Sequence, residues 1–185
     1  MRIKYRSVDL SDPAPAPSAE KWFDFVATIA GAIAAVMLIL VFLFRVVTVD
    51  GHSMVPNLQD GDRLILTDVA TRYKHGEIVV IARADDDPLV KRVIAVGGDT
   101  IDLRDGKVFL NGAELSEPYI DQETYDVSPA PPDFPLTVPP GYVFVMGDNR
   151  GNSLDSRFEE VGLVDTHRIL GKVMVHLSNG EESYE

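Results

Sequence analysis

Cysteine is absent from all 185 residues, so no disulfide framework, thiolate metal site or thiol nucleophile can be built. Any nucleophile must be a hydroxyl, an amine or a carboxylate. Basic charge is scarce too: the formal net charge is −12. Residues 1–44 carry four basic and four acidic residues, so the whole surplus falls on residues 45–185, with thirteen basic against twenty-five acidic. Such a domain repels phosphate backbones and grips anionic lipid poorly, which excludes nucleic acid as an expected partner. Histidine occurs four times, at His52, His75, His167 and His176. His52 adjoins Ser53 on a backbone expected to be extended, which would send the two side chains to opposite faces. The other three read as turn or surface residues, so a Ser-His-Asp hydrolase is the weaker enzymatic reading.

What is present begins with one long apolar run. Residues 1–24 form a polar tail, expected to be disordered around Pro13-Ala14-Pro15-Ala16-Pro17. Phe25 to Phe44 is an uncharged run of twenty residues, long enough at about 1.5 Å per residue to cross a hydrocarbon core of about 30 Å. It exceeds the usual signal-peptide core of roughly 7–15 residues, and Arg45-Val46-Val47 offers no small-x-small cleavage site, so an uncleaved anchor in the lipid bilayer is expected. Arg6 and Lys21 flank it on one side and Arg45 and Arg63 on the other, a near balance that leans towards an N-terminus inside.

Residues 45–185 read as one mainly β domain. Short runs rich in β-branched and aromatic residues occur at Leu64–Leu66, Ile78–Ile81, Leu89–Val96, Val108–Leu110, Tyr142–Met146 and Val173–Leu177. Turn signals separate them, and Asp105-Gly106 is a strong hairpin signal. Residues 113–140 hold seven prolines and little periodicity, which suggests a long surface excursion.

Three stretches carry chemistry. The first is Gly51-His52-Ser53-Met54-Val55-Pro56-Asn57-Leu58, in which Pro56 disfavours the α region at Val55, so an extended support for the Ser53 hydroxyl is expected. Even a fully extended chain from Arg45 reaches no more than about 29 Å, which keeps Ser53 near the membrane surface. The second is Leu89-Val90-Lys91-Arg92-Val93-Ile94-Ala95-Val96. A lysine among aliphatics is either an edge-strand residue kept in water or a desolvated amine, with its pKa lowered from about 10.4 to near 7 or 8, able to deprotonate a serine. The third is Gly147-Asp148-Asn149-Arg150-Gly151-Asn152-Ser153-Leu154-Asp155-Ser156-Arg157. It fails the spacing of a calcium loop, and no metal or other cofactor is expected.

Taken in this order after one anchor, the three stretches resemble the bacterial type I signal peptidases, covering roughly a quarter of the chain. The resemblance implies an antiparallel β-sheet catalytic domain with Ser53 as nucleophile, Lys91 as general base and Ser153 orienting the Lys91 amine. It implies an oxyanion hole at Ser53 and Gly51, and charged support from Arg92, Asp148, Asp155 and Arg157. Shallow pockets for small side chains would map to Val47, Val49, Met54, Leu58 and Val90. The implied partners are signal peptides of exported preproteins and the secretion translocon. The implied location is the bacterial inner (plasma) membrane, single-pass, with a cytoplasmic N-terminus and an extracytoplasmic catalytic domain. The sequence departs from the family pattern at Asn57, where threonine is usual, at Glu159-Glu160, and at Gly51, where some relatives carry a serine. A catalytically inactive peptide-binding relative, or another Ser-Lys processing protease of narrow substrate range, is the alternative.

Overall fold

The computed structural model describes residues 19–67, 72–83, 87–121 and 133–178. The expected Pro13–Pro17 tail lies outside them. Helix α1 runs Ala19–Leu43, so it starts ahead of the apolar run and stops one residue short of it. Its apolar side chains from Trp22 to Val41 are exposed all round, and Lys21–Val41 is long and apolar enough to cross a membrane. A helix with no polar face satisfies its backbone internally and suits a hydrocarbon solvent.

The rest of the described chain forms two antiparallel sheets. The larger has seven strands in the order β1-β2-β11-β3-β4-β9-β10. These are β1 Phe44–Thr48, β2 Arg63–Thr67, β3 Ile78–Ile81, β4 Leu89–Val96, β9 Tyr142–Met146, β10 Val164–Asp165 and β11 Ile169–Leu177. The smaller has the order β7-β6-β5-β8, built from β5 Thr100–Arg104, β6 Lys107–Leu110, β7 Ala113–Glu114 and β8 Leu136–Thr137. Asp105 and Gly106, with φ of 49° and 76°, make the tight turn between β5 and β6, and only such residues adopt that conformation readily.

Two expectations change. Phe44 is not helical: β1 was hidden because its residues continue the apolar run, yet Arg45, Val46 and Val47 pair with Leu66, Ile65 and Leu64 of β2. The Pro-rich stretch is more than a surface excursion. Val138 is fully buried, and Leu115, Tyr119, Phe134 and Leu136 pack against the cluster of Ile94, Ile101, Phe144 and Met146. Residues 122–132 of that stretch lie outside the described residues.

The register of β4 places the site. Its C-terminal half pairs with β9 from Arg92↔Met146 onward, while Leu89–Lys91 pairs only with β3. Beyond Met146 the chain turns at Gly147, and the space beside Lys91 is left to the turn that carries Ser53.

Candidate active site

The backbone around Ser53 is a compact series of turns, not the extended support expected. The Val55 N–H donates to His52 O, and the Asn57 and Leu58 N–H groups both donate to Met54 O at 3.0 Å. The physical reason is burial. Met54 and Leu58 are 1% and 2% exposed and share a cluster with Val49, Leu64, Leu66 and Val80. Residues four apart reach one compact pocket only when the chain between them winds. The Val55–Pro56 peptide is cis.

The same burial divides the residues expected to form the substrate pockets. Val49, Met54 and Leu58 belong to the closed core, whereas Val47 and Val90 are the partly buried members at its margin.

Lys91 projects from β4 and is 2% exposed. Its Nζ donates to Ser53 Oγ at 2.7 Å and to Val90 O at 2.9 Å. Burial lowers its pKa to about 8, against the opposing pull of Asp155 and Asp148. A large fraction is therefore neutral near pH 8, and a neutral Nζ can accept the Ser53 hydroxyl proton along the contact already made.

The loop after β9 holds this pair in place. Asn149 clamps the Ser53 turn twice, its backbone N–H donating to Ser53 O at 3.0 Å and its Nδ2 to His52 O at 3.1 Å. Arg92 takes both oxygens of Asp148, at 2.7 and 2.6 Å, and Asn57 Nδ2 adds a third bond at 2.9 Å. Asp155 receives the Gly147 N–H, Ser153 Oγ and the Arg157 guanidinium. Ser153 thus donates to Asp155 at 2.7 Å, and no hydrogen bond joins it to Lys91, where the resemblance put one. Gly51 has φ +96°, and its N–H is taken by Asp60 Oδ1 at 2.8 Å. Among the described residues the Ser53 N–H has no protein partner, which leaves it available to an oxyanion.

Burial lowers the lysine, and the pairing of the charges around it shows why no direct ion pair offsets that burial. The described site holds four cations, Lys91, Arg92, Arg150 and Arg157, and three carboxylates. Each arginine has its own carboxylate: Arg92 with Asp148, Arg157 with Asp155 and Arg150 with Glu117. Lys91 is the cation with no carboxylate in hydrogen-bond contact, and a buried charge without a partner is disfavoured.

The histidines sit elsewhere. His75 contacts Asp99, His167 contacts Asp165 and His176 contacts Asp62, while His52 is exposed. No described histidine hydrogen-bonds Ser53. Among the described residues no three or more histidines and carboxylates converge as a metal site would require.

The family signature for signal peptidase, peptidase S26, matches residues 22–177. The chain belongs to that family. Signal peptidase I of Bacillus licheniformis is 38% identical over 158 residues, spanning 80% of this chain and 84% of that protein. Signal peptidase I T of Bacillus subtilis (strain 168) is 38% identical over 149 residues, 76% of this chain and 77% of that protein. The crystal structure of a signal peptidase I from Enterococcus faecalis V583 aligns with TM-score 0.45 at 28% identity, covering 57% of this chain and 98% of that one. Membership in this family makes the chain a signal peptidase I enzyme.

Several residues of the site escaped the sequence. Asn149 and Arg150 lay inside a recognised stretch but carried no periodic or charge signal of their own. Glu117 and Tyr119 lie in the Pro-rich segment, where the absence of pattern gave no hint of burial. Asn57, noted only as a departure from threonine, bonds both Asp148 and the Tyr119 carbonyl.

Proposed function

We propose that this protein is a membrane-tethered serine endopeptidase that removes signal peptides from exported preproteins, with Ser53 as nucleophile and Lys91 as general base. The observation that carries the reading is the 2.7 Å contact between Ser53 Oγ and the buried Lys91 Nζ. Neutral Lys91 takes the hydroxyl proton as Ser53 Oγ adds to the scissile carbonyl, and the unpartnered Ser53 N–H donates to the developing oxyanion. The Lys91 ammonium then protonates the leaving amine, releasing the mature protein and leaving the signal peptide as an acyl ester on Ser53. Lys91, neutral again, deprotonates the water that hydrolyses the ester.

The substrate docks along Leu89–Lys91, where β4 has no strand partner on the side facing the Ser53 turn. An extended peptide there gains main-chain hydrogen bonds, and its small side chains fall against Val47 and Val90. Helix α1 is the single-pass anchor, with the N-terminus cytoplasmic and the catalytic domain on the extracytoplasmic face, where signal peptides emerge. Ser153 acts through Asp155, and Arg92, Asp148, Asp155 and Arg157 keep the dyad in register.

The test is cleavage of a purified preprotein by the full chain in detergent. Ser53→Ala and Lys91→Ala should each abolish cleavage, and the double variant should be no worse, because nucleophile and base act as a unit. Substantial activity in either single variant, correctly folded, refutes the assignment of that residue.

A further inference from the structure

The geometry points to Glu117 as a positioning residue of the active site, acting through Arg150 and Gly147 on the backbone of Ser53. This rests on the reading of Ser53 as the nucleophile. Arg150 is fully buried, and its Nε donates to Gly147 O at 3.1 Å. The other face of its guanidinium is occupied by both oxygens of Glu117. Glu117 is 7% exposed and also accepts the Tyr119 hydroxyl at 2.9 Å.

Gly147 is the pivot. Its N–H is held by Asp155 Oδ2 at 2.9 Å and its carbonyl by Arg150, so the peptide links on both sides of its Cα are fixed. A Cβ at Gly147 would stand 2.5 Å from Ser53 O and collide with Ser153 Oγ, which means that Gly147 lies directly against the nucleophile's own backbone. Any shift of Gly147 is passed to Ser53 by contact. Arg150 can hold Gly147 only if its own charge is neutralised in a place without water, and Glu117 is the carboxylate that does so. Glu117 belongs to none of the three chemistry-bearing stretches. It comes from the segment after β7, which therefore helps to build the site.

A positioning role predicts a loss in the chemical step and not in substrate binding. In the full chain in detergent, Glu117→Gln should lower kcat by about 10²-fold with KM changed less than about twofold, as expected for a misplaced nucleophile. Glu117→Asp, which restores the carboxylate on a shorter arm, should recover part of the loss. Ser53→Ala is measured alongside: activity in that variant would refute the nucleophile reading itself. With Ser53→Ala inactive, a Glu117→Gln enzyme whose kcat stays within about threefold of the parent, or whose loss lies wholly in KM, overturns the inference alone. If circular dichroism shows Glu117→Gln unfolded, the decision passes to Tyr119→Phe, which removes only the hydroxyl that Glu117 accepts. A fall in kcat of roughly threefold or more at constant KM then supports the inference, and a smaller fall overturns it.

Discussion

Arg157 takes both oxygens of Asp155 in a fork of two hydrogen bonds, 2.8 and 2.9 Å, with neither side chain exposed. The pair stands beside Lys91, and its two members pull the amine in opposite directions: Asp155 favours the ammonium and Arg157 disfavours it, both secondary to burial. Removing one member should therefore expose the influence of the other. Arg157→Gln leaves an uncompensated carboxylate and moves the acid limb of kcat/KM to higher pH than about 8, whereas Asp155→Asn leaves an uncompensated guanidinium and moves it lower. Each change also breaks a buried pair, at about 3–5 kcal/mol, so the profiles are recorded at low temperature with folding verified. Shifts of the same sign would contradict the electrostatic account.

The lowered pKa of Lys91 has a consequence for stability. The folded protein releases the proton near pH 8 and the unfolded chain near 10.5. Between those values the unfolded state binds more protons, so stability rises with pH across that window, and the cost of the buried charge is felt in full below it. That cost is at most about 3 kcal/mol, offset by two hydrogen bonds worth about 1 kcal/mol each. Lys91→Met should accordingly be about 1–3 kcal/mol more stable than the parent at pH 7, with the advantage lost above pH about 10.5. Denaturant midpoints at the two pH values measure it, and a variant less stable at pH 7 would defeat the argument.

Gly147→Ala tests how tightly Ser53, the proposed nucleophile, is seated. The added methyl has backbone on one side, Ser53 O at 2.5 Å, and cannot be accommodated by a rotamer change alone. The turn must move, and a displacement of about 1 Å costs on the order of 10² in kcat. Single-turnover kinetics separate this from weaker binding. An alanine variant with unaltered chemistry would mean that Ser53 is held elsewhere.

Gly51 is constrained by its backbone and not by its neighbours. A Cβ there meets nothing within 4 Å, yet φ +96° is a conformation L-residues avoid. Serine and valine should each cost stability, on the order of 1–3 kcal/mol. Their effects on the reaction should differ. Gly51→Ser should keep kcat, while the branched side chain of Gly51→Val should fill the open space beside Gly51 and, on the proposed reading of this cleft, raise KM. An inactive but folded serine variant would show that the Gly51 region contributes more than room.

How much of this was legible follows from where the physics is local. Ile78–Ile81, Leu89–Val96 and Tyr142–Met146 were readable because alternation and β-branching are properties of short windows, and Asp105-Gly106 because only such residues take two successive positive φ angles. Strand β1 was not, since Phe44 and Val46 look like membrane residues until β2 is there to pair with them. The winding of the Ser53 turn was missed because the rule used concerned Pro56 and its neighbour alone, while the decisive influence is the joint burial of Met54 and Leu58. Glu117 was invisible for a similar reason: what makes it part of the site is Arg150, thirty-three residues away.

The three arginine–carboxylate pairs also govern how the site responds to salt. Charges on an open surface are screened by dissolved ions over about 8–10 Å, and their pKa values drift with ionic strength. Here Asp155 and Arg157 are sealed from solvent, Asp148 and Arg150 likewise, and Lys91 is nearly so. Ions cannot enter between them. The acid limb set by Lys91 should therefore stay fixed from dilute buffer to strong brine, even though the outer surface of this acidic domain is exposed to every change in its ionic surroundings.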